Sequence, residues 1–329
     1  MNRSVITIAV GKPYYLRLAE NLLKSFLLWN NGNEIHFLLV TDNMSFFNRY
    51  NDNTKVSIKL INISESDKSF TSKFKLFELA TASDNLFIDC DCLIYKDLGY
   101  IFEAFKGRSF SAIGNDIVDG DFFCDVKKTL KYFNLIAMPK FVGSIYFFKK
   151  DDKARLVFET ASALKNKYDE LGFVRLRNKE NEEPLFAVAL RLENEKILPN
   201  TGVVKADLMY YRNVVSNVLN GSAFVSKPIL DITGGEEIPN SAYPGILHFN
   251  ATFSDNYIYK SESYRLRYIQ YDKHLIETIV FLRFKLPFEI ETGFKRLFRP
   301  FYHFFLGHRS IAQRGNELGQ IDVLLKKQI

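Results

Sequence analysis

One short acidic run in this chain could hold a divalent cation. Phe87-Ile88-Asp89-Cys90-Asp91-Cys92 sets two carboxylates one residue apart at the end of an apolar stretch. Two acids so close repel one another unless a cation or a set of donors offsets the charge. Hard ions such as Mg²⁺ and Mn²⁺ take carboxylate oxygens and share their shell with phosphates. Such an ion neutralises a diphosphate as it departs. The plain alternative is a pair of solvated turn acids, since Asp-x-Asp is a common spacing. Position favours the chemical account, because open α/β sheets bind ligands at the carboxyl ends of their strands.

Four other groups could join this pair. His248, in Leu247-His248-Phe249-Asn250, follows an apolar fragment beginning at Tyr243. Neutral imidazole suits a third ligand position beside two carboxylates, provided the chain folds His248 back onto the turn. Lone histidines also serve structure alone. Glu182 and Glu183 precede Pro184 at the start of an apolar helix, where acids suit the dipole and Pro suits the first turn. The functional account puts one of the two on the donor or acceptor sugar. The turn Ala9-Val10-Gly11-Lys12-Pro13-Tyr14-Tyr15 could hold a nucleobase through backbone contacts and aromatic packing. It is neither GxGxxG nor a Walker loop, so dinucleotide and P-loop readings fail. Lys73 and Lys75, before the acidic strand, could reach a phosphate or simply face solvent.

These residues need elements to position them. Ser4–Val10, Glu34–Thr41, Lys55–Ile63 and Asn85–Asp89 read as strands; Tyr14–Trp29 and Ser72–Ala82 have helical spacing. The order is read as β-α-β-α-β-α-β through residue 91, which predicts a mainly parallel sheet with helices on both faces. Further strands are expected at Ser111–Gly114 and Gly143–Lys149, helices at Asp151–Tyr168 and Pro184–Leu192, and two short strands within 228–250.

Bulk properties agree with a folded enzyme-sized chain. Its 329 residues are 47% hydrophobic and 25% charged, and Lys+Arg exceed Asp+Glu by 44 − 38 = 6. The three cysteines, Cys90, Cys92 and Cys124, form no CxxC and no Cys/His knuckle, which argues against a structural zinc and fits a reducing cytoplasm. No signal peptide and no membrane-spanning stretch is read. Residues 281–310 hold six Lys/Arg against two Glu, with nine Phe/Tyr. Basic and aromatic residues at helical spacing over Phe294–Leu306 suit an anionic membrane surface, or a helix packed on the body. Pro287 and Pro300 are expected to interrupt any long helix there. No nucleic-acid recognition module accompanies the charge.

In order and spacing, the segments TIAVGKPYY, SKFKLFELATASDNLFIDCDCLIYKDL, GSIYFF, Glu182-Glu183 and ILHFN resemble GT-A glycosyltransferases. They resemble in particular the glycogenin and lipopolysaccharide galactosyltransferase family, over roughly residues 4–250. The resemblance implies a GT-A α/β domain, placed over residues 1–261, and the change of character from about residue 262 sets off a helical, basic-aromatic extension over 262–329. It implies one Mn²⁺ or Mg²⁺ on Asp89, Asp91 and His248, and a nucleotide-sugar donor, UDP-linked. Ala9, Gly11, Tyr14, Tyr15, Lys73, Asp89 and Asn250 are then expected to bind the donor, and Glu182, Glu183 and Asp91 to act in catalysis. The acceptor would be a glycan or glycolipid, the outcome retaining, and the location cytoplasmic, peripheral on the inner membrane face. One departure is clear: the family often follows its histidine with Gly-x-x-Lys-Pro-Trp, whereas ATFSDNYIYK stands here, with Lys260 a distant substitute. A nucleotidyltransferase would carry a basic, Gly-rich first loop, which VGKPYY is not. A non-catalytic nucleotide- or glycan-binding protein is the other alternative. Oligomeric state is not legible.

Overall fold

A computed structural model describes residues 2–62, 70–229 and 237–306. The first half alternates strands and helices: β1 (Arg3–Ala9), α1 (Pro13–Asn30), β2 (Ile35–Thr41), β3 (Val56–Leu60), α2 (Leu76–Leu79) and β4 (Asp84–Ile88). The β2–β3 crossover is a 3₁₀ helix, Met44–Tyr50, and the helix expected over 72–82 is a 3₁₀ turn, Phe70–Lys75, running into α2. Next come β5 (Cys92–Ile94), α3 (Gly99–Ala104), β6 (Phe110–Ile117), α4 (Val126–Phe133), β7 (Met138–Lys149), α5 (Asp152–Lys165) and α6 (Glu182–Leu192). Short strands follow: β8 (Leu198–Pro199), β9 (Lys205–Asp207), β10 (Tyr211–Asn217), β11 (Ser222–Pro228), β12 (Ser241–Ala242) and β13 (Ile246–His248). Helices α7 (Tyr257–Arg267), α8 (Lys273–Val280) and α9 (Leu286–Leu306) close the described chain.

The central sheet has the order β3-β2-β1-β4-β7-β6-β8. Its β3-β2-β1-β4 half is parallel, and β7 lies antiparallel between β4 and β6. The expected class, a mainly parallel α/β sheet with flanking helices and a helical C-terminal segment, is the one observed. Helix α1 starts with Pro13, pre-set for the first turn, and buries Leu16, Ala19, Leu22, Leu23 and Phe26 against the sheet. On the other face α5 and α6 pack through rings. Phe110, Phe158 and Phe186 lie 5.1–5.4 Å apart between centroids, and Tyr146 joins Phe186 at 5.1 Å. The abundant phenylalanine of the sequence is thus largely core.

Two small sheets flank the site. In the first, β13 pairs antiparallel with β5 and parallel with β9. The second is the antiparallel β10-β11-β12 meander. Neither β9 nor the β10–β11 hairpin was expected from the sequence.

The boundary placed between residues 261 and 262 falls inside α7. Buried Glu262 accepts hydrogen bonds from Ser216 Oγ (2.5 Å) and Val218 N (2.8 Å), and Asn21 Nδ2 of α1 donates to Tyr259 and Ser263. Arg265 then binds Glu277 of α8 through two N–H groups, at 2.9 and 2.7 Å. A π-helical turn, Phe281–Lys285, leads into α9, and Phe288 stacks on Tyr257 at 4.0 Å. The helix runs through both prolines, contrary to the expectation. Pro287 follows the π turn, where the hydrogen-bond register changes, and Pro300 lies within α9, where one backbone bond is forgone. Among the described residues no helix is long and apolar enough to cross a membrane.

Candidate functional site

The parallel strands β1 and β4 lie side by side, so their carboxyl ends bring the Gly11 turn next to the Asp89–Asp91 turn. Strand β7 flanks β4 on the other side, with Ile145 opposite Ile88, and Ser144 O accepts the Asp89 N–H at 2.8 Å. After Asp89 the chain turns sharply, Cys92 N donating to Asp89 O at 3.0 Å, and enters β5. The acidic pair thus spans the junction between the central sheet and the β5-β13-β9 sheet. The same junction settles where His248 goes. It pairs with Cys92 across β13–β5, and its Nε2 lies 3.3 Å from Asp91 Oδ1.

His248 is buried, and its other nitrogen, Nδ1, lies 2.6 Å from Asp207 Oδ1. Burial disfavours the charged ring, but Asp91 and Asp207 outweigh it and push the His248 pKa up to about 10. Buried Asp207 is held below the ordinary carboxylate range by Lys205 and His248, against the opposing effect of burial. Cys92 Sγ lies close to the Asp91 and His248 donors, all three within 4.8 Å of one another. Burial, with Asp91 and Asp89 nearby, pushes that thiol well up, so it stays protonated and is a poor partner for a hard ion.

One oxygen of Asp89 is engaged on the other side of the turn. Its Oδ2 accepts from Lys73 Nζ at 3.0 Å, and the same ammonium donates to Gly143 O and Glu182 Oε1, each at 2.7 Å. The three ammonium hydrogens therefore have three protein acceptors, beneath the rings of Phe87 and Tyr146. Desolvation works against the Lys73 charge, yet Asp89 and Glu182 outweigh it and raise its pKa. Burial raises Asp89 too, opposed by Lys73 and reinforced by Asp91.

Glu182 and Glu183 open α6, whose cap is Asn181, accepting the Glu183 N–H at 3.2 Å. Glu182 is 1% exposed, and its Oε2 has no hydrogen-bond partner among the described residues. Glu183 Oε1 accepts the Gly143 N–H at 2.7 Å. Burial and the Glu182 charge push Glu183 up to about 7. Gly143 is forced: a Cβ there would meet the Tyr146 hydroxyl, Glu182 Oε1 at 2.8 Å and Glu183 Cγ at 3.0 Å.

In the β1–α1 turn, Gly11 adopts φ +86° and donates its N–H to Asp42 Oδ2 at 2.9 Å. Ala9 is buried at the strand end, Tyr14 bonds Ser254 through its hydroxyl, and Tyr15 packs edge-on to Tyr14, partly exposed. Asn250 Nδ2 contacts Met209 Sδ, and Asn250 Oδ1 is buried without a partner among the described residues. Lys260 is exposed on α7.

The structure thus joins Asp91 to His248, and Asp89 to Lys73 and Glu182. Asp207, Lys205, Gly143 and Ser144 complete the site; Gly143 and Ser144 head the GSIYFF segment noted in the sequence, whereas Asp207 and Lys205 were not singled out from it. Lys205-Ala206-Asp207 did carry a signal: alternation puts its two charged residues on one face of a strand.

No protein-family model matches this chain, and no curated protein matches it. Among solved structures it is similar to the galactosyltransferase LgtC in complex with donor and acceptor sugar analogs, at 13% identity and a TM-score of 0.47, covering 75% of this chain and 87% of LgtC. An active-site mutant of LgtC overlaps equally, at 14% identity and a TM-score of 0.47. The glycosyltransferase GlyE of Streptococcus pneumoniae TIGR4 overlaps at 12% identity and a TM-score of 0.41, covering 61% of this chain and 46% of GlyE. These likenesses are distant and partial.

Proposed function

We propose that the chain is a hexosyltransferase that moves a sugar from a nucleoside diphosphate donor, UDP-linked, to a glycan or glycolipid acceptor with retention. The observation that carries this reading is the junction itself. An acidic turn, a histidine and a buried carboxylate–lysine cluster meet at the carboxyl ends of parallel strands, beside the Gly11–Tyr15 turn.

The residues fit a hard divalent cation, Mn²⁺ or Mg²⁺. Asp91 and His248 already face one another, and His248 has its far nitrogen on a carboxylate, as ligating histidines do. Asp89, Asp91 and His248 would hold the ion, which when bound stabilises the negative charge of the departing diphosphate. Ala9, Gly11, Tyr14, Tyr15 and Asn250 line the turn and loop offered to the nucleotide. Lys73 fixes Asp89 and Glu182 and sets the local charge. Glu182, buried with a bare oxygen, suits the positive charge that develops on the sugar. Glu183, titrating near neutrality, suits a hydrogen-bond donor to a sugar hydroxyl.

Residues 1–261 would form the catalytic domain and 262–329 the extension, holding the protein at the inner face of an anionic membrane. In α9, Phe294, Leu297, Phe298, Phe301, Phe304 and Phe305 are each more than half exposed. Arg296 and Arg299 lie among them. Replacing Phe294, Phe298 and Phe301 with Ser should abolish co-sedimentation with anionic liposomes; undiminished binding would refute the membrane role.

Asp91→Ala should abolish donor turnover. The assay is a panel of UDP- and GDP-sugars with Mn²⁺, scored for slow donor hydrolysis. A folded Asp91→Ala protein at near wild-type rate would sink the reading.

A further inference from the structure

We infer that Asp207 and Lys205 are positioning residues that fix the imidazole of His248 for cation binding and tie β9 to β7, the strand whose Ser144 carbonyl holds the Asp89 end of the acidic turn. The inference rests on the cation-dependent reading above. Asp207 stands directly beside His248, its partner in the parallel β9–β13 register. Its Oδ1 lies 2.6 Å from Nδ1, while Nε2 points to Asp91. A carboxylate at Nδ1 keeps a hydrogen on that nitrogen, so a cation that displaces the Nε2 hydrogen meets a lone pair already aimed at the acidic turn. It also stops the ring from rotating about its χ2.

Asp207 is no ligand in its own right. It is 1% exposed and sits behind the ring, with Oδ2 3.0 Å from Lys205 Nζ. Lys205 is fully buried and balances the Asp207 charge, so the pair brings no net charge to the site. An isolated carboxylate at that depth would be strongly disfavoured. Lys205 reaches further: its ammonium donates to Val142 O at 2.9 Å and Ser144 Oγ at 3.2 Å. The Ser144 carbonyl in turn receives the Asp89 N–H. A continuous path therefore runs from Asp89 through Ser144, Lys205, Asp207 and His248 to Asp91. A buried ion pair of this kind is weak evidence for stability and better explained by the specificity of the arrangement it holds.

The test measures cation binding directly, on the full chain, by Mn²⁺ titration in electron paramagnetic resonance. Asp207→Asn should weaken Mn²⁺ by about 10- to 100-fold, as loss of a ligand-orienting partner does. Lys205→Met/Asp207→Asn removes both charges without stranding either, and should weaken Mn²⁺ to a similar extent while its unfolding midpoint in chelator stays near wild type. In the Mg²⁺-loaded protein, ¹⁵N spectra of the His248 ring should show hydrogen on Nδ1 in wild type and a mixture of tautomers in the double variant. Wild-type Mn²⁺ affinity in the folded double variant, with the ring tautomer unchanged, would overturn the inference and leave the cation reading intact. Failure of wild type itself to bind Mn²⁺ would overturn both.

Discussion

Lys73→Met removes a single buried cation and tests the charge balance of the site. In the wild type the ammonium answers Asp89, Gly143 O and Glu182, and the Glu182 side chain is 1% exposed. Methionine keeps the volume but leaves Glu182 without its cation, facing the Tyr146 hydroxyl 3.4 Å away, its own backbone N–H and the repelling charge of Asp89. Breaking a buried ion pair from one side costs about 3–5 kcal/mol. Glu182 escapes part of that by keeping its proton. Burial already raises its pKa with Lys73 present, and loss of Lys73 raises it further. A carboxyl whose folded pKa lies above its unfolded value loses stability as pH rises between the two. The deficit should therefore be about 3–5 kcal/mol at pH 8 and smaller by about 1 kcal/mol or more at pH 5, each pKa unit being worth about 1.4 kcal/mol. Urea unfolding in chelator, followed through the lone Trp29, reads both values; its indole Nε1 donates to Val218 O at 3.0 Å and reports on α1 and the β10–β11 hairpin together. Lys73→Met/Glu182→Gln should regain most of the stability while donor turnover stays lost. A Lys73→Met deficit below about 1 kcal/mol at pH 8, or one independent of pH, would refute the charge balance.

Two shorter tests address the neighbouring residues. Glu183 is raised from its ordinary value to about 7, so the wild type loses stability as pH climbs from about 4.5 to 7, by at most about 3 kcal/mol. Glu183→Gln, which still accepts the Gly143 N–H, should gain on the wild type by about 1–3 kcal/mol between pH 5 and pH 8 in parallel urea melts; equal slopes would refute the shift. Gly143→Ala forces a Cβ against Tyr146, Glu182 and Glu183 and should cost about 1–3 kcal/mol in the same melts, with donor turnover falling more steeply than stability. A neutral effect would mean that the glutamates have room to move.

The parts of this site that could be read from sequence are those fixed by local pattern. The β-branched run of β1, the Pro-led helix α1 and the apolar strand ending in Asp89 are each specified within a dozen residues, and periodicity finds them. Residue type marks candidate cation ligands, so Asp91 and His248 could be named as candidates before their 3.3 Å approach was known. What stayed hidden depends on pairing between distant short strands. Strands β9 and β13 have three residues each, so the alternation in Lys205-Ala206-Asp207 is too short to pick out a strand or its partner, and the parallel register alone sets Asp207 against His248. Lys73 shows the same limit from the other side. As a residue type it suits a phosphate, but its surroundings give the ammonium three protein acceptors. A lysine so engaged acts on a ligand through the carboxylates it holds. The electrostatics of the proposed donor site are then set by buried groups behind it as much as by the residues that face it.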